Sequence, residues 1–127
     1  PKMPGWNNLL LPKSAHASQI VAELAAKGDE IVVTKTTDSA LTGTNLRLIL
    51  HNLGIKTVIC AGIFTDQCVS STVRSLADES YQVIVLEDCC AAATDDLHRK
   101  ELEIINMIYC HVMSPGEFRG FIPLASR

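Results

Sequence analysis

Short β-branched runs alternate along this chain with longer stretches whose apolar residues return every three or four positions. The stretch "SAHASQIVAELAAKG", from Ser14, puts Ile20, Val21, Leu24 and Ala25 on one stripe, which predicts a helix stopped by Gly28. "EIVVT" follows as a predicted strand, too short for a helix. Thr44 to Leu53 predict the next helix, with Leu46, Ile49, Leu50 and Leu53 at helical spacing and Gly54 at its end. "KTVICA" predicts a second buried strand, and a helix carrying Val69, Val73, Leu76 and Ala77 starts at Cys68, with Asp66 or Thr65 as its cap. "QVIVLE" is a third strand, Leu97 to Tyr109 the last clear helix, and "HVMS" a short fourth strand. Residues 1–13, proline-rich at both ends around Trp6, read as a loop against the domain; the tail beyond Pro115 carries no clear pattern.

Strands of this length and near-continuous apolar character suit a parallel sheet buried on both faces. The expected class is α/β: a three-layer, Rossmann-like parallel sheet with helices on both faces. Right-handed crossovers then gather the strand-to-helix loops "TKTTDSALTG", "GIFTDQC" and "EDCCAAATDD" at one sheet edge, where open sheets bind ligands.

Composition narrows the picture. The 127 residues make one domain or part of one, and a start at Pro1 fits a processed or partial chain. Eleven basic and fourteen acidic residues, spread without blocks, give a net charge of -3 and argue against a nucleic-acid surface. No run is long and apolar enough to cross a bilayer, and "PKMPGWNNLL" is no signal peptide. Five cysteines without a CxxC pair argue against a secreted disulfide framework or zinc ribbon and point to a reducing, cytoplasmic setting.

Cys68 stands apart by position. A thiol at a helix start, after a strand and a glycine loop, faces free backbone N–H groups and the positive end of the helix dipole, which favour the thiolate. The same groups could accept an oxyanion. The competing reading is a small buried hydrophobe under the sheet. Lys35, at the end of "EIVVTK", lies on the same edge; it could polarise a carbonyl or lower a thiol's pKa, or simply be solvated. Cys60 and Cys110 read as structural, Cys89 and Cys90 as adjacent and poorly spaced for a metal. Asp88 reads as a cap or loop-ordering carboxylate, and His98 and His111 as structural.

"CVSSTVR" also spells C-x5-R, the cysteine-phosphatase pattern. That chemistry needs a loop curled round a phosphate, usually through glycines, and none of the five intervening residues is glycine. On a helix starting at Cys68, Arg74 lies about 120° away around the axis. The phosphatase reading is the weakest of those considered.

The pieces "GDEIVVTKTTDSALTGTNL", "LGIKTVICAGIFTDQCVSSTVRSLADESYQVIVLED" and "HVMSPGEF" resemble the isochorismatase-like, or cysteine amidohydrolase, superfamily over residues 28–118. Its most specific block here is G-x-x-T-x-x-C-V…T-x-R after a strand. The resemblance implies a hydrolase of small amides, ureides or related C–N substrates, without cofactor or metal, and usually oligomeric. It implies Cys68 as nucleophile, Lys35 as the supporting lysine, backbone N–H groups of Phe64 and Cys68 as oxyanion binders, and a cis Ile63–Phe64 bond. The family's catalytic aspartate lies on a strand upstream of the lysine, and Asp29, Asp38 and Asp66 do not align with it.

The expectation is therefore that residues 1–127 form the C-terminal part of one isochorismatase-like hydrolase domain, lacking its N-terminal strand or strands. The complete protein is then an enzyme and the 127-residue chain alone inactive. Its expected partners are a small-molecule substrate and either a second copy or a complementing N-terminal polypeptide. The alternative is a catalytically incomplete binding or structural subunit of the same fold.

Overall fold

The computed structural model describes residues 12–121. Two compact units divide at Val32–Val33. In the first, residues predicted to be helical form only two short 3-10 turns, His16–Ser18 and Ala22–Leu24, with Ile20, Val21 and Leu24 exposed. An amphipathic stripe gains little as a helix unless it packs, because nucleating the first turn is unfavourable. The predicted strand "EIVVT" is also absent: residues 30–34 join no ladder, and Ile31 and Val32 are exposed. Of the predicted N-terminal loop, residues 1–11 lie outside the described range.

The second unit is the expected α/β fold. Its elements are α1 (Leu46–Asn52), β1 (Thr57–Ile63), α2 (Ser70–Asp78), β2 (Gln82–Ala91), α3 (Asp95–Asn106), β3 (His111–Met113) and α4 (Pro115–Phe121). The three strands are parallel in the order β1-β2-β3. Strands adjacent in sequence are thus adjacent in space, joined by the helical crossovers α2 and α3, as parallel strands require.

Side-chain alternation decides which face is covered. Val83 and Val85 of β2 point into the core with their register partners Val58 and Cys60 of β1. Val73 and Leu76 of α2, and Leu102 and Ile105 of α3, close over them. Full burial of such aliphatic side chains stabilises by about 1.5–3 kcal/mol each. The alternate residues of β1 are different: Ile59 and Ile63 are 47% and 65% exposed. Among the described residues β1 also pairs on one side only, with β2.

Local chemistry fixes the element ends. Gly54, with φ of 66°, turns the chain out of α1 in the left-handed region that glycine tolerates best. The Thr94 hydroxyl accepts a hydrogen bond from the Leu97 N–H at 3.2 Å and caps α3, two residues before the predicted start. Ser114 and Glu117 form a reciprocal capping box for α4, with Pro115 at the first helical position. No helix among the described residues is long and apolar enough to cross a membrane.

β2 runs further than "QVIVLE" predicts, taking in Asp88, Cys89 and Cys90, so Asp88 caps nothing. Cys60 pairs with Val85, but Gly62 pairs with Cys90, so β2 bulges opposite Ala61 before rejoining β1. Gly62 sits at this irregularity with φ of 125°.

Candidate active site

The chain leaves β1 at Ile63, crosses the cis Ile63–Phe64 bond expected from the resemblance, and enters a π-helical turn over Thr65–Val69 that runs into α2. Cys68 lies within this turn, two residues before the regular helix. Neither proposed cap works as one. Thr65 is buried, and its hydroxyl pairs with His98 Nδ1 at 2.8 Å, tying the turn to α3; Asp66 makes no capping hydrogen bond. Both lie inside the turn rather than ahead of it. Phe64 O accepts from the N–H groups of Gln67 and Val69.

The loop carrying Lys35 folds onto the start of α2. Leu41 is the anchor, 1% exposed within the main core. Around it, Ser39 Oγ donates to Ser75 Oγ at 2.8 Å and the Ala40 N–H donates to Thr72 Oγ1 at 3.0 Å. The Thr72 hydroxyl donates in turn to Cys68 O at 2.7 Å, so the same residue holds both loop and thiol-bearing turn.

These anchors bring three charged or ionisable groups together. Lys35 Nζ donates to Cys68 Sγ at 3.3 Å and to Thr37 O at 2.8 Å. The Cys68 thiol donates to Asp38 Oδ1 at 3.6 Å. The sulfur therefore has a cation on one side and a carboxylate on the other. The half-buried Cys68 opens with Lys35 onto a cleft of about 310 Å³ whose far wall is Ile59–Ile63 of β1. A larger hollow, about 490 Å³, lies where Thr57, Gln82 and His111 begin their strands. Open parallel sheets bind ligands at the carboxyl ends of their strands, which favours the smaller cleft.

The remaining cysteines are poor nucleophiles or unsupported ones. Burial, helped by nearby Cys110 and Cys90, pushes the Cys60 thiol up to about 12. Burial likewise raises Cys110 to about 11, against the opposing pull of Arg74, and raises Cys90. Cys89 is exposed on β2. All five are free thiols. Among the described residues no three His, Cys, Asp or Glu side chains converge as metal ligands.

Arg74 is committed elsewhere. Its Nη2 donates to Glu101 Oε1 at 2.8 Å, its Nε donates to Ser70 Oγ at 3.2 Å, and its guanidinium lies 4.5 Å over the Tyr109 ring. Ser70 also donates to Glu101. With residues 70–78 helical, the C-x5-R string forms no phosphate cradle. His98 and His111 stay apart from the thiol: one braces Thr65, the other is exposed on β3.

Sequence reasoning puts Lys35 and Cys68 on one sheet edge and sets Asp38 aside as unaligned with the family's aspartate; the structure brings all three within contact.

The parallel sheet with its helical crossovers defines a Rossmann-like α/β protein, with a thiol, an amine and a carboxylate gathered just beyond the carboxyl end of β1. The isochorismatase domain family model matches residues 3–115, and the chain belongs to that family. It is 30% identical over 118 residues to the ureidoacrylate amidohydrolase RutB of Acinetobacter baylyi, covering 92% of this chain and 48% of that protein. Among solved structures, an isochorismatase-like hydrolase from Alkaliphilus metalliredigens superposes with a TM-score of 0.80 at 32% identity, over 84% of this chain and 58% of the other. The N-carbamoylsarcosine amidase from Thermoplasma acidophilum gives 0.72 at 29%, over 80% and 57%. The chain spans about half the length of the curated relatives it matches.

Proposed function

We propose that this chain carries the nucleophilic half of a hydrolase acting on a small amide, ureide or related C–N bond. The observation that carries this reading is the lysine amine 3.3 Å from the Cys68 sulfur, at the mouth of a cleft against β1. The attacking form of a cysteine is its thiolate, and Lys35 places a cation in contact with this sulfur. Cys68 adds to the carbonyl carbon, and the N–H groups of Phe64 and Cys68 hold the developing oxyanion. Ammonia or an amine leaves, and water releases the acyl group. Relatives named for ureidoacrylate and N-carbamoylsarcosine support C–N rather than phosphate chemistry.

In this reading a segment beyond the 127 residues, from the same gene or a second polypeptide, completes the domain by pairing with the free side of β1. A second copy of this chain is the other candidate for that role. The free thiols suit a reducing, cytoplasmic setting. The runner-up is a binding or structural subunit of the same fold, and the discriminating measurement is turnover by the complete gene product. Ammonia release from ureidoacrylate or N-carbamoylsarcosine is expected, and Cys68→Ala should lower it by about a thousandfold or more, within the roughly millionfold loss that removing a nucleophile can cost. Full activity in Cys68→Ala would refute the proposal.

A further inference from the structure

The geometry points to a reversible sulfur–nitrogen bridge between Cys68 and Lys35, formed when the protein meets hydrogen peroxide. The pair is then a site of oxidative modification. Formation of the bond depends on the placement of the two groups alone; its consequence, a hydrolase switched off by oxidant, rests on the hydrolase reading.

The Lys35 amine lies 3.3 Å from the Cys68 sulfur. A second hydrogen bond, to Thr37 O at 2.8 Å, keeps it from swinging away. The loop behind it is fastened as well. Thr37 Oγ1 donates to Ser39 O and to Thr42 O, each at 2.9 Å, and Ser39 and Ala40 are bonded to Ser75 and Thr72 of α2. Thr72 Oγ1 also donates to Cys68 O, so nitrogen and sulfur are both tied to one helix. Groups held in this way react as neighbours, without the loss of freedom that a bimolecular step costs. Access is open too: exposed Lys35 and half-buried Cys68 line the same cleft of about 310 Å³, room enough for a peroxide molecule. Burial raises the Cys60, Cys90 and Cys110 thiols, which makes them slow toward peroxide.

In the first step a sulfur electron pair attacks one peroxide oxygen, and the O–O bond breaks as an S–O bond forms. Sulfur is oxidised by two electrons and peroxide is reduced; the thiol proton joins the departing hydroxide as water, leaving a sulfenic acid. In the second step the Lys35 ammonium gives one proton to solvent, and its nitrogen pair attacks sulfur. The S–O bond breaks, hydroxide leaves, and it takes a second proton from nitrogen to become water. The S–N bond remains. A small thiol reverses this by attacking sulfur, which releases the amine and gives a mixed disulfide; a second thiol frees Cys68. Without a neighbouring nucleophile a sulfenic acid goes on to sulfinic acid, from which small thiols do not recover it. The bridge intercepts that loss while withholding both side chains from a substrate.

The test exposes the 127-residue chain to hydrogen peroxide, digests it and maps the peptides by mass. The peptide carrying Lys35 should be joined to the one carrying Cys68, the pair lighter by two hydrogen atoms than the separate peptides together. Dithiothreitol should part them. In Lys35→Met the joined pair should vanish, and Cys68 should accumulate as sulfinic acid that dithiothreitol does not reverse. Thr72→Val keeps both reacting groups but removes the hydroxyl between loop and turn, and should slow the joining. Cys68 found only as sulfinic or sulfonic acid, or in a disulfide with Cys60 or Cys89, while Lys35 stays unmodified, overturns the inference. In the complete gene product peroxide should abolish amide turnover and dithiothreitol restore it. A joined pair in a protein that hydrolyses no amide in any form would leave the bridge standing and refute the hydrolase reading. Cys68-dependent turnover with no joined pair after peroxide would do the reverse.

Discussion

Cys60 and Cys68 carry the same thiol in opposite surroundings. Cys60 points into the core beneath α2 and α3, where a charge would be left without solvent, and its pKa rises from 9.0 to about 12. Cys110 rises from 9.0 to about 11 for the same reason. The sign of the linked effect on stability follows directly. Below pH 9.0 both states keep their protons; above it the unfolded chain loses them first and is favoured, so stability falls between pH 9.0 and about 12. Urea midpoints should decline across that window, and Cys60→Val should flatten the decline while leaving the acid side unchanged. An equal slope in the variant would show that other groups control the alkaline limb. The place of Cys68 after a strand and glycine marked it out among the five thiols but left a small buried hydrophobe as an equal reading; the contact with Lys35 is what the structure adds. The approach of Asp38 was not legible, because sequence spacing gives no hint that a loop 30 positions upstream docks on the thiol.

At the scale of elements, apolar periodicity was a sound guide wherever the stripe had something to pack on. α1, α2 and α3 lie close to their predicted positions, and their stripes supply Val73, Leu76, Leu102 and Ile105 to the core. The stripe of Ile20, Val21 and Leu24 is as regular, yet it is exposed and non-helical. Periodicity states what a segment would bury, not whether a surface awaits it. The reverse omission is α4, whose "SPGE" start held both a proline at the first helical position and a capping box, yet offered no long apolar stripe. The site loop has no regular structure and depends on Leu41. Leu41→Ala should weaken its docking by about 2–3 kcal/mol, toward the low end for a buried leucine because a loop relaxes readily. Hydrogen exchange should then accelerate over residues 37–42 with little change in β2; uniform acceleration would mean that the loop and sheet open as one unit.

At the scale of the molecule, the sheet is covered unevenly. α2 and α3 close the Val83 face, while among the described residues β1 presents Ile59, Ile63 and one edge without a ladder partner. Unpaired N–H and C=O groups beside exposed isoleucines favour pairing with another strand. Sedimentation at micromolar concentration should therefore find the 127-residue chain associated with itself or with an added upstream polypeptide. Slow hydrogen exchange at residues 57–61 should depend on that association. A monomer already protected there would contradict the proposed partner contact. The parallel order of the sheet was legible in the alternating runs, because short connections and right-handed crossovers leave few topologies. The exposure of Ile59 and Ile63 was not, since β1 is as apolar as a strand buried on both faces.

The open cleft also bears on how the thiol would choose among small molecules. Its lining comes from one strand, one loop and the start of one helix, and Cys68 is among the lining residues. Discrimination by shape requires a competitor to meet a clash or leave a polar group unmatched, and a single methylene inside a full pocket is worth only about 1–3 kcal/mol. An open cleft offers less. Bulky and slender electrophiles should thus differ on Cys68 mainly by their intrinsic reactivity, as they would toward a free thiol in solution. Under the proposed function, selectivity then falls to whatever surface comes to face β1.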